Sequence, residues 1–231
     1  MATPSPDARS TRARHLAGLY PQASEPLTFY AQLVVLQQML PEALDFEALA
    51  DAVPAFLTAL IPVAPSPLAD AARQMLEEGH DRWKHLLHTY WNGERDVEPA
   101  AAFLAEAVLQ PLAERHARCQ GPPVVAVLRD KAHGSGRSFV CAFCLYEYPA
   151  PRLGCPACGE ARFDTLAVYR ADEFGAARID ACETCRTYLK TIDLTKDGAA
   201  VPVVDDIATL TLDVWAREQG YRRLQPNLLR L

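Results

Sequence analysis

Six of the seven cysteines in this 231-residue chain stand in pairs two residues apart: Cys141/Cys144, Cys155/Cys158 and Cys182/Cys185. Two intervening residues let a tight turn aim both sulfurs at one ion while its backbone N–H groups stabilise the thiolates. Two such turns make a tetrahedral S₄ centre, suited to structural zinc or to a rubredoxin-type iron. Between Cys158 and Cys182 lie 23 residues, room for a β-hairpin, so Cys155, Cys158, Cys182 and Cys185 form one complete centre. Gly159 suits the left-handed bend that ends such a turn. The seventh cysteine, Cys119, precedes Cys141 with 21 residues between them, and His116 precedes Cys119 at the same two-residue spacing. His116, Cys119, Cys141 and Cys144 then make a His/Cys₃ centre, ordinary chemistry for zinc. A second reading makes His116 a helix-terminal histidine interacting with the dipole. Joining Cys141/Cys144 to Cys155/Cys158 instead leaves only 10 residues for a connection and strands Cys182 and Cys185. The expectation is two metal ions, zinc or iron.

Other residue types do less. An odd cysteine count without an export signal argues against a disulfide framework. His80, His85 and His88 read as a solvated helix face, with no carboxylate at Glu-x-x-His spacing. Gly134-Ser135-Gly136 reads as a hairpin tip, lacking the length and following helix of a phosphate loop. Asp205 and Asp206 read as a helix cap. No nucleophile–base arrangement follows from spacing, so no catalytic residue is expected and the chain reads as a non-enzyme. No apolar run approaches the roughly 20 residues of a membrane span, and Arg9, Arg12 and Arg14 precede no apolar block, so a cytoplasmic protein without membrane insertion is expected. From His116 to Asp193 there are ten Lys/Arg and nine Asp/Glu, and metal-bound thiolates add further negative charge. That is a poor footprint for nucleic acid. Three function classes remain: an assembly factor with structural metals, a redox carrier if iron fills the S₄ centre, and, most weakly, a nucleic-acid-binding zinc ribbon.

The elements that must position these residues change character near residue 116. Half of the chain is hydrophobic, enough for one large or two small cores. Residues 1–15 read as a frayed polar tail. Ser24 and Pro26 start a helix closing at Pro41; a second spans Asp45 to Leu60, interrupted at Pro54; a third opens at Ser66-Pro67 and stops at Gly93; a fourth opens at Pro99. Residues 16–115 therefore form a helical bundle. Afterwards come short strands: Val124–Leu128, Phe163–Tyr169, Ala177–Asp180 and Thr187–Asp193. They offer little core of their own, so the metals are expected to support folding of residues 116–195. A helix after Pro202, lined by Ile207, Leu210, Val214 and Trp215, ends at Gly220. The fold class is α+β: an N-terminal helical bundle, two tandem zinc-ribbon modules and a C-terminal helix. The divisions fall at residues 1–115, 116–154 and 155–231.

Arg152–Gly159 (RLGCPACG), Cys182–Lys190 (CETCRTYLK) and Asp205–Tyr221 (DDIATLTLDVWAREQGY), ahead of Asn227, resemble the FdhE family of formate dehydrogenase accessory proteins. The helical half matches more loosely, through segments such as Phe29–Gln38. The resemblance implies two rubredoxin-like metal modules after a helical domain, a cytoplasmic location, and an accessory role exercised by contact with the catalytic subunit of formate dehydrogenase. A rubredoxin-like iron protein acting in maturation of that enzyme is the alternative it allows, and a homodimer is compatible with it. The family's first pair is normally Cys-x-x-Cys; here His116 holds its first position. The chain is also shorter than typical members, in its N-terminal half.

Overall fold

The computed structural model describes residues 4–117, 119–131 and 134–231. Ser5 accepts the N–H of Ala8 and Pro6 fills the first turn, so a helix α1 (Pro6–Leu19) forms where a frayed tail is expected from polarity. What holds it is tertiary: Arg9 is buried and grips Glu114 with two hydrogen bonds of 2.7 and 3.0 Å, and the Ser10 hydroxyl donates to the Ala31 carbonyl. The helices α2 (Ser24–Leu36), α3 (Phe46–Leu60), α4 (Ser66–Leu76), α5 (His80–Trp91) and α6 (Pro99–His116) complete the helical half.

Two boundaries differ from the sequence reading. Pro54 lies inside a continuous α3. A proline inside a helix costs about 3 kcal/mol, and burying Val53, Phe56, Leu57 and Leu60 on that helix outweighs it at about 1.5–3 kcal/mol per large apolar side chain. The single helix expected from Ser66 to Gly93 is instead two, because Gly79 sits at φ +79° and turns the chain between α4 and α5. His85 and His88 are exposed on α5, as their spacing implies.

The second half is built on one seven-stranded sheet. Its strands are β1 (Pro123–Lys131), β2 (Gly134–Cys141), β3 (Glu147–Pro149), β4 (Leu166–Tyr169), β5 (Ala177–Cys182), β6 (Thr187–Asp193) and β7 (Arg222–Arg223). The spatial order is β3-β2-β1-β6-β5-β4, with β7 beside β6. Each cysteine-bearing ribbon is an antiparallel unit, β1-β2-β3 or β4-β5-β6. The two merge where β1 runs parallel to β6, with Ala126 opposite Thr191 and Leu128 opposite Asp193. Gly134–Gly136 begins β2 and pairs with Arg129–Lys131 rather than forming the hairpin tip read there. The shared sheet has a core of its own, with Val125, Val127, Ile179, Tyr188 and Ile192 almost fully buried. The strands therefore carry more apolar burial than their short sequence runs imply.

The C-terminal helix is also two helices, α7 (Pro202–Ala208) and α8 (Leu210–Glu218). The first packs Val204, Ile207 and Ala208 into the helical core, and the second packs Leu212 and Ala216 onto the sheet. Asp205 and Asp206 lie within α7 rather than before it. Asp205 still accepts the Val201 N–H at 2.8 Å and pairs with Arg12 of α1 at 2.5 Å, while Asp206 turns inward. No described helix is long and apolar enough to cross a membrane.

Candidate metal centres

Cys155 and Cys158 sit in the loop after β3; Cys182 ends β5 and Cys185 lies in the turn to β6. All four sulfurs are within 4.8 Å of one another, with 3.6 Å from Cys155 to Cys185 and 3.7 Å from Cys158 to Cys182. Metal–sulfur bonds of about 2.3 Å in a tetrahedron put sulfurs about 3.8 Å apart, so the donor set and spacing fit a thiolate-bound zinc or iron. Both turns close in the same way: the Gly159 N–H donates to the Cys155 carbonyl and the Arg186 N–H to the Cys182 carbonyl, each at 2.9 Å. Gly159 and Arg186 take the left-handed conformation, φ 77° and 57°. Glu160 ties the two turns together, accepting the Thr184 hydroxyl at 2.9 Å.

The other centre is a three-thiol group. Cys141 ends β2, Cys144 follows in the next turn, and Cys119 comes from the connection between α6 and β1. Their sulfurs also lie within 4.8 Å, at 3.3 Å for Cys119–Cys141 and 3.5 Å for Cys119–Cys144. Leu145 repeats the turn signature, with φ 50° and its N–H on the Cys141 carbonyl, and Gln120 after Cys119 has φ 48°. His116 is not brought to this group. It remains the last residue of α6, exposed, with Nε2 donating to the Glu42 carbonyl at 3.0 Å. Its backbone belongs to a helix whose Ala117 N–H still donates to Ala113, so the segment does not fold into the ribbon turn that its spacing implies.

Proton sharing marks both groups as sets of competing thiolates. Hydrogen bonding with Cys144 holds the Cys141 thiol down to about 5, and the same contact pushes Cys144 up. Burial pushes Cys155 up to about 12. Burial also opposes ionisation of Cys185, but hydrogen bonds from Thr187 and the neighbouring thiols bring it to about 7.

A buried charge cluster joining β6 and β7 to α7 and α8 was invisible to spacing. Lys190 of β6 reaches Asp206 at 3.1 Å and Asp213 at 2.5 Å; Arg223 of β7 pairs with both at 2.7 Å; Asn227 donates to Asp206 and Tyr188 to Asp213. Two cations meet two carboxylates, so the cluster is neutral and its charges are satisfied. The motif stretches 182–190 and 205–221 and the outlying Asn227 are distant in sequence but meet here.

Residues 153–230 match the family model for the FdhE C-terminal domain. The chain is 37% identical over 112 residues to a "Protein FdhE homolog" of Aquifex aeolicus, covering 48% of this chain and 40% of that one. It is 30% identical over 175 residues to a homologue of the same description from Pseudomonas aeruginosa, covering 74% and 51%. The crystal structure of the FdhE protein from Pseudomonas aeruginosa superposes with a TM-score of 0.73 at 27% identity, over 99% of this chain and 97% of that chain. Residues 153–230 belong to the FdhE C-terminal domain family. The matched stretches span about half or less of the curated relatives' length. The family fold explains the order seen here, with helices first and two zinc-ribbon-like cysteine groups after them.

Proposed function

We propose that this protein is an accessory factor for the formation of active formate dehydrogenase, acting in the cytoplasm by binding that enzyme's catalytic subunit and turning over no substrate of its own. The observation that carries this reading is the likeness to an FdhE protein along nearly the whole chain. The two cysteine groups are metal sites in this proposal, the four-thiol one structural. The contact surface lies on the second ribbon. Phe163 is 81% exposed and Val168 on the edge strand β4 is 50% exposed, an apolar pair at a sheet margin of the kind that partners cover. Arg222 is exposed on the same ribbon. Arg223, adjacent in sequence and of the residue type favoured at interfaces, is committed to the buried cluster and unavailable.

The test is co-purification of tagged protein from cells making formate dehydrogenase. Wild type retains the catalytic subunit, and Phe163→Glu/Arg222→Glu loses it by about tenfold or more, the scale of interface hot spots, with metal content unchanged. Failure of wild type to retain the subunit, together with formate dehydrogenase activity unaffected by deleting the gene, removes this function.

A further inference from the structure

Two of the three thiols, Cys119 and Cys141, line a cavity of about 650 Å³ between the helical half and the sheet. Cys119, Gly121 and Cys141 line the floor; Tyr90 and Phe143 stand on the walls; Arg95 and Arg230 also face the space. Such a volume is within the range that takes small molecules. Resting on the reading of this group as a metal site, we infer that its fourth coordination position is open to this cavity and takes an exogenous small thiol that also carries a carboxylate.

Three observations converge. First, structural thiolate sites are closed by four protein ligands, whereas a site with three keeps a position for an outside donor. Among the described residues no fourth His, Cys, Asp or Glu joins Cys119, Cys141 and Cys144, and the imidazole nearest in sequence is engaged by the Glu42 carbonyl. Second, room has been left at the thiols. A Cβ on Gly121 would stand 3.3 Å from the Cys141 sulfur and 3.6 Å from the Cys119 sulfur. Gly121 does not have a left-handed φ, so its missing side chain serves space rather than backbone conformation. Third, the cavity has chemistry of its own. Arg95 lies 4.0 Å over the Tyr90 ring and 4.5 Å over Phe143, and no described carboxylate lies within ion-pair distance of it. Arg230 is half-exposed and shares its one carboxylate, Glu106 at 2.5 Å, with the Tyr90 hydroxyl. A soft thiolate set selects a soft donor, and two guanidiniums, Arg95 and Arg230, facing the one lining carboxylate Glu106 leave positive charge over for an anion.

Cobalt(II)-loaded protein reports coordination changes at each site by its visible spectrum, and L-cysteine serves as the probe. L-Cysteine is expected to produce a saturable spectral change with both cobalt ions retained after ultrafiltration. 2-Mercaptoethanol, which lacks the carboxylate, acts at concentrations about tenfold or more higher, and L-serine, which lacks the thiol, has no effect. Arg95→Gln weakens cysteine by the same factor, the scale of a lost charged hydrogen bond. Gly121→Val, which fills the floor, abolishes the response, while His116→Ala leaves it intact. Two bound cobalt ions with no response to L-cysteine, release of cobalt by it, or an undiminished response in Gly121→Val each overturn the open-site inference. A wild type that binds one cobalt ion, unchanged by Cys141→Ser, overturns the underlying metal reading as well.

Discussion

The two cysteine groups start from the same spacing and end differently. In the four-thiol group neither turn is claimed by a helix: one leads out of β5 into β6, the other lies in the loop after β3, and each closes on a backbone N–H. In the three-thiol group one turn is a sheet turn, but the partner segment begins in α6. Helical hydrogen bonding keeps His116 in the last turn of α6, and only Cys119 escapes to meet Cys141 and Cys144. Ligand spacing is therefore productive when the first ligand is free to leave regular structure. A helix that claims that residue turns a closed centre into an open one.

The two groups are also braced differently. The three-thiol group packs on the helical half through Ala113, Trp91 and Phe143, with the Trp91 and Phe143 rings 5.8 Å apart. The four-thiol group is braced by Arg137. The Arg137 guanidinium spans from β2 to the Gly154 carbonyl and to Asp180 of β5. The largest effect expected from breaking this contrast is at the four-thiol group. Structural zinc contributes on the order of 10 kcal/mol or more to folding in small modules. Cys182→Ser should lose one metal ion per chain and strip amide protection from residues 153–165 and the 182–186 turn. The centre of the sheet has its own buried core, so β1 and β6 should keep their protection. Hydrogen exchange with elemental analysis checks both. Melting of the whole sheet would show that the metal, and not the apolar core, holds β1 against β6.

The charge cluster is the next largest. Asp206→Ala leaves Lys190 and Arg223 sharing a single carboxylate in a buried site, and breaking such pairs costs about 3–5 kcal/mol. For a chain of this size that lowers Tm by roughly 6–20 °C. Burial opposes ionisation of Asp206, but Arg223 and Lys190 outweigh it and hold the carboxyl below the ordinary aspartate range. A lowered folded value means that the stabilisation is fully present above the unfolded value of about 3.9 and is lost as pH falls through the folded one. Denaturant unfolding of wild type should therefore steepen below about pH 4, and Asp206→Asn should flatten that limb. Both proteins keep every thiol, so acid release of metal cancels in the difference. Equal acid limbs would mean that the cluster is not the source of the pH dependence.

What could be read from sequence tracks how local the cause is. Strand β6 was legible from its β-branched run to the residue, and the Cys155/Cys158/Cys182/Cys185 grouping from spacing alone, because a ribbon turn is a local object. Helix α1 was not legible, since its burial depends on Arg9 finding Glu114, 105 residues away. The merging of two ribbons into one sheet rests on a parallel β1–β6 pairing that no hairpin spacing announces. Asp206 read as a cap because a carboxylate after Pro202 normally faces solvent. Only the return of Lys190 and Arg223 to the same interior point gives it another role.

The smallest effect is predicted where the two sites differ most sharply. His116→Ala should leave two metal ions bound and change stability by within about 0.5 kcal/mol, the range of surface substitutions away from structural features, because the exposed imidazole makes one hydrogen bond to the Glu42 carbonyl. Cys141→Ser, by contrast, removes a buried member of the three-thiol group and should cost one ion. The pair is informative because sequence spacing places both residues in one His/Cys₃ centre, with a helix-terminal role as the other reading of His116, while the structure separates them. Competition with a chromophoric chelator measures both affinities on one scale. A tenfold or greater loss of affinity in His116→Ala would show that the ring leaves Glu42 when metal arrives, closing the site as His/Cys₃. The last turn of α6 would then have to unwind to let it do so, which amide exchange at Ala117 would reveal as protection that falls on metal addition. Unchanged affinity with unchanged protection leaves α6 intact and the fourth position facing the cavity.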